Sequence, residues 1–270
     1  MEDRMHEWLS LALRWVHVIA GIMWVGTTYL FNWMERVLDP KESSGDNSLG
    51  GFWMVHGGGF YKVEKLKEPA DFSSTLHWFK YEALTTFISG FLLLIVVFYW
   101  GGLQVNFDAS LSHAAGVGIG LGAILASFLF YNAYWWTKLG DNEAFGIVLS
   151  YFLLVALAWG LHEVLSPRAA YIHIGAALGT IMVTNVWMRI LPNQRKMIAA
   201  KQRGEKPDMT LGVRGARCSR HNTYMSVPLI FTMFSSHYPS ITYGTAHPWA
   251  VLALITLAGF AGAHWLRTRA

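Results

Sequence analysis

Apolar runs of roughly twenty residues, the length that crosses a hydrocarbon core, recur along this chain and leave little room for a soluble fold. They fall at about 8–33, 77–100, 112–136, 144–162, 169–191, 221–237 and 248–267. Only 14% of the 270 residues are charged and 53% are hydrophobic, against roughly a quarter charged in soluble domains. A backbone in lipid must satisfy its own polar groups, so runs of this length read as helices. The expected fold is an all-α, polytopic membrane bundle of about seven transmembrane helices in a single integral membrane domain, residues 1–270. Its polar loops are expected at 34–76 and 192–220.

Basic residues set the orientation. Of the 21 lysines and arginines, 18 fall on one side of this seven-span topology. That side is expected to be cytoplasmic, with the N-terminus outside, the C-terminus inside and the protein in a bacterial inner membrane. The first apolar run is long and has no small-residue cleavage site, so no cleavable signal peptide is expected. The formal charge of +4 is loop charge and does not point to nucleic acid. Cys218 is the only cysteine, which excludes an internal disulfide, a Cys-based zinc or iron–sulfur site and a covalent c-type haem.

The eleven histidines are then the metal-ligand stock. Imidazoles in an apolar bundle suit axial ligation of a b haem. By helix rise, His17 lies roughly 13 Å inside Trp8 and His173 roughly 6 Å inside Ala169. These two are the expected haem-iron pair, with His237 and His162 as competing partners. His221 and His237 lie 16 residues apart, which turns them roughly 160° from each other, so one helix does not stack two haems. The bland alternative is that each histidine simply bonds a neighbouring helix.

Other polar groups carry two readings. His77, Lys80 and Glu82 sit together at the start of the second run, either as a proton-handling site or as a self-neutralising interfacial cluster. Asn132 and Asn185 either bond a ligand or join helices, and Trp135 and Trp136 read as interfacial belt. The run His56-Gly57-Gly58-Gly59-Phe60-Tyr61 reads as a flexible surface loop, since no phosphate-cradle signature accompanies it. Pro192–Arg220 reads as a short basic interfacial helix followed by a loop.

Several segments resemble one family in order along the chain: RWVHVIAGIMWVG (14–26), HGGGFY (56–61), LHWFKYEA (76–83), GTIMVTNVWMRILPNQRKM (179–197) and HNTYMSVPLIFTMFSSHYP (221–239). They are similar to the membrane domain of the bacterial membrane-bound, cytochrome c-coupled urate oxidases. That resemblance implies oxidation of urate towards 5-hydroxyisourate, with electrons passed to cytochrome c. In that family a further helix leads to a c-type cytochrome domain. The sequence here ends after its seventh run without C-x-x-C-H, so the resemblance implies a separate c-type cytochrome or another redox membrane subunit as partner. It also implies catalytic roles for His77, Glu82, His221 and Asn222, a substrate contact at His56, and haem contacts at His17, His173 and His237. The alternatives are a non-catalytic haem-binding or structural subunit of a respiratory or photosynthetic complex, and a transporter. The latter predicts inverted repeats, and none is evident.

Overall fold

The computed structural model describes residues 2–69, 76–102, 105 and 111–269. Helix α1 spans Glu2–Arg36. A hairpin of β1 (Ser48–His56) and β2 (Gly59–Leu66) follows. Then come α2 (Tyr81–Leu94), α3 (His113–Trp135), α4 (Glu143–Val164), α5 (Pro167–Asn185), α6 (Leu191–Gln202), α7 (Thr210–Phe234) and α8 (Pro248–Thr268). Widened π-helical turns extend α2 over Ile95–Trp100 and join α5 to α6 over Val186–Ile190. The described residues thus form seven continuous helical rods, six of them long and apolar enough to cross a membrane. The seventh, α7, carries Arg214, Arg217 and Arg220 in its first half, which lowers its apolarity although it packs centrally.

Local sequence accounts for the helix starts. Ser112, Asn142 and Ser166 each accept a hydrogen bond from a first-turn N–H of α3, α4 and α5, satisfying donors that have no partner within the helix. Packing centres on α5, whose His173, Ile174, Leu178 and Asn185 are buried. Small residues allow close approach between helices. Gly175 lies against Thr232 of α7, where a Cβ would clash, and Gly259 of α8 lies against Pro228, where a Cβ would be tight. Helix α1 is peripheral. It packs along α2 and joins α7 through Tyr29 to Ser226 at 3.0 Å and Asn32 to Thr223 at 3.2 Å.

Three sequence expectations are corrected. The glycine run is not a loose loop, because Gly57 and Gly58 form the two-residue turn of the hairpin at φ +58° and +81°. Two successive positive φ values match a tight hairpin turn and favour glycine. The 192–220 segment is mostly helical, since α6 continues α5 and α7 begins at Thr210, leaving a short connection between them. Likewise α2 begins at Tyr81, which leaves His77 outside the helix.

Candidate functional site

Helices α3, α5 and α7 bring a polar layer into the apolar bundle near their basic ends. Asn185, only 1% exposed, donates to the Tyr131 hydroxyl at 2.9 Å and to Asn222 Oδ1 at 3.0 Å. Asn222 Nδ2 donates onward to the Met182 carbonyl at 3.0 Å. Tyr131 Oη lies 2.8 Å from His221 Nδ1. The tyrosine oxygen has two lone pairs, so it accepts from Asn185 and from the Nδ1–H of His221 together. This assignment leaves the neutral imidazole with its free lone pair on Nε2. The Trp135 ring packs edge-on against His221 at 4.5 Å between centroids. Tyr131, Asn185 and Asn222 are buried and bonded to one another across three helices, which holds the His221 ring in one orientation.

Beside this layer lies a cationic and aromatic cluster. Arg189 stands on the widened turn between α5 and α6 and donates to Asn132 Oδ1. Pro192 accounts for that turn, because it has no N–H for the Met188 carbonyl and its ring crowds that carbonyl. The Arg189 guanidinium sits 3.6 Å from the centre of the Trp136 ring. Arg217 of α7 lies 5.3 Å from the same ring and donates to the Trp135 carbonyl at 2.9 Å. Neither arginine has a carboxylate partner among the described residues. The indole Nε1 of Trp136 is buried without an acceptor. Buried polar groups are ordinarily paired, and two guanidiniums against the ring of an indole whose N–H is orphaned form a donor-rich, positive, aromatic cluster. That chemistry takes a flat anion bearing several acceptor atoms.

The structure unites His221 and Asn222 as the sequence reading grouped them, but it separates the other candidates from them. Among the described residues, no hydrogen bond, ion pair or ring contact joins His56, His77 or Glu82 to His221 or Asn222. His56 closes the hairpin opposite Gly59 and is exposed. His77 packs against Phe79 at 4.5 Å. Lys80 lies over the Tyr81 ring at 4.8 Å and does not pair with Glu82, so the self-neutralising cluster does not form. Glu82 Oε2 is buried without a partner. The belt reading of Trp135 and Trp136 is also corrected, since both serve the polar layer. Sequence reading missed Tyr131 and Arg217. The available signal was the run Tyr131-Asn132-Ala133-Tyr134-Trp135-Trp136, polar and aromatic at the end of an otherwise apolar helix.

The proposed haem pair fits poorly. His173 is fully buried, with Nδ1 2.8 Å from the Ala169 carbonyl and Nε2 3.0 Å from the Tyr99 hydroxyl, so neither ring nitrogen is open to iron. His17 is held at Nδ1 by the Thr86 carbonyl at 2.9 Å and Ser89 Oγ at 3.1 Å. Its ring fills the space where Gly90 has no side chain. His237 lies exposed past the end of α7, against Phe234. His17 and His173 therefore read as helix-joining side chains, and no electron step is assigned to a b haem between them.

No curated protein and no solved structure matches this chain. One protein family does, described as urate oxidase N-terminal, and the match runs over residues 3–270. Because that match takes in every helix of the bundle and the whole polar layer, the chain belongs to the urate oxidase N-terminal family.

Proposed function

We propose that this protein is a multi-pass membrane oxidoreductase that oxidises urate towards 5-hydroxyisourate. Its function is urate-oxidase-related by family. The observation that carries the reading is the pair of guanidiniums, Arg189 and Arg217, gathered without a carboxylate against the Trp136 ring, whose N–H is orphaned. Urate is a planar, acceptor-rich anion of the class this cluster suits. Arg189 and Arg217 bind its charge, Trp136 donates to a ring acceptor, and Asn132 and Tyr131 orient Arg189 and His221 respectively.

His221 is the proposed proton acceptor, turned by Tyr131 so that its ring orientation is set before the substrate arrives. The reaction balances as urate plus water giving 5-hydroxyisourate, two protons and two electrons. The electrons reduce two one-electron acceptors, for which a separate c-type cytochrome is the proposed partner. We place the protein in a bacterial cytoplasmic membrane, with the α1 start outside and the arginine-rich ends of α6 and α7 in the cytoplasm. Urate thus approaches from the cytoplasmic side.

The test is urate-dependent reduction of added ferricytochrome c by the purified protein in lipid nanodiscs. Wild type is expected to turn over. Arg189→Gln and Trp136→Phe are each expected to weaken urate binding at least tenfold, roughly the loss of one charge-assisted contact. Absence of both urate binding and cytochrome reduction in well-folded wild type defeats the proposal. Urate binding without reduction moves the function to carriage of the anion.

A further inference from the structure

A cationic recess lies at the end of the bundle opposite the Arg189 cluster, where α1 begins and α5 starts. It has a volume of about 410 Å³, and its walls include His6, Glu7, Ser10, Arg14, Gly101 and Arg168. Arg14 and Arg168 stand on different helices and both face it. Arg14 Nε donates to Ser10 Oγ at 3.2 Å and makes no other hydrogen bond. Arg168 lies 5.6 Å from the centre of the Phe98 ring, and its Nε is buried with no acceptor. Neither forms an ion pair among the described residues, and Glu7, the carboxylate in the wall, bonds to neither. His6 ties this end of α1 to α2 through the Val96 carbonyl at 2.8 Å.

Two forked guanidiniums with unfilled donor positions match the oxygens of a tetrahedral phosphate. The surroundings indicate the source. Trp8, Trp15 and Trp100 are 70%, 71% and 53% exposed at this end of α1 and α2, and such indoles sit at headgroup level in membranes. The recess therefore lies at the depth of lipid phosphates, beside a peripheral helix that lipid can reach. We propose that Arg14 and Arg168 form a phosphate-binding site that holds the headgroup of a phospholipid between α1, α2 and α5. The site is independent of the Arg189 cluster and stands whether or not that cluster binds urate.

The experiment is native mass spectrometry of detergent-purified full-length protein after incubation with phosphatidylglycerol, with inorganic phosphate titrated in a parallel arm. Wild type is expected to retain one phospholipid. The Arg14→Gln/Arg168→Gln double variant is expected to lose at least tenfold of that occupancy, while the exposed-site control Arg4→Gln keeps it. The Arg14→Lys/Arg168→Lys variant retains the charges but not the forks, and intermediate occupancy is expected. Arginine-dependent displacement of lipid by millimolar phosphate supports the phosphate site and names the free anion as a second occupant. Equal lipid retention in wild type and a folded double glutamine variant overturns the proposal, as does equal loss in Arg4→Gln. Should the glutamine variant not fold, equal retention by wild type and the lysine variant overturns it in the same way.

Discussion

Asn185 holds two neighbours at once, and the polar layer depends on it. Its amide donates to Tyr131 on α3 and to Asn222 on α7, so a single side chain fixes the spacing of three helices. Asn185→Leu removes both bonds and leaves Asn222 Oδ1 buried without a donor. The expected cost is about 1–3 kcal/mol, read as a lower thermal unfolding midpoint of the detergent-solubilised protein. Tyr131→Phe keeps the ring packing but frees His221 to change tautomer. It is expected to leave urate binding within about twofold and to lower cytochrome c reduction at least tenfold, a loss within the range of general-base contributions. Single residues also show where sequence reading stops. His221, Asn222, Asn185 and Arg189 were visible as polar groups in apolar runs, where such groups are costly. Tyr131 was not, because a tyrosine near a membrane interface is unremarkable until its partner on another helix is known. His173 shows the converse: it is buried as its position implied, but its bonds to Ala169 and Tyr99 leave no nitrogen for the iron its depth invited.

At the scale of elements, the hydrophobic pattern placed the helices because backbone satisfaction in lipid leaves few other solutions. It did not place the hairpin. Strands β1 and β2 lie in a polar segment with no clean alternation, and the turn glycines looked like slack until their paired positive φ values were seen. Nor did it place the start of α7, since arginines interrupt the apolar signal without interrupting the helix. The widened turn at Val186–Ile190 is the element that serves the site. Deleting Met188, whose side chain is 60% exposed, is expected to let the helix close into regular α geometry and take Arg189 off Trp136. Urate binding should then fall as far as in Arg189→Gln, with the protein still folded by circular dichroism. A deletion variant that binds urate like wild type would disconnect the turn from the site.

For the whole molecule, the single thiol reports on assembly. Cys218 is 0% exposed, within the α3–α5–α7 packing. Maleimide labelling of native membranes is expected to be negligible and to become complete after unfolding in hot SDS. In a Cys218→Ala background, Ser44→Cys and Ser240→Cys stand at exposed positions at opposite ends of the bundle. An impermeant maleimide applied to intact cells is expected to label the second and not the first. The reverse pattern inverts the orientation drawn from the basic residues. The two arginine pairs also lie at opposite ends, so losing lipid from one and substrate from the other are expected to be separable defects.

The same π-helical turn has a consequence beyond Arg189. Each residue in an α-helix advances the chain by about 1.5 Å and turns it by about 100°. In a regular helix one extra residue would swing everything beyond it to a new compass bearing, whereas the widened turn at Val186–Ile190 takes up that residue and leaves Arg195 and Lys196 pointing where they did. Sequence length at this point is thus buffered: a single-residue change here alters the local turn that carries Arg189 while the charged helix beyond it keeps its aim.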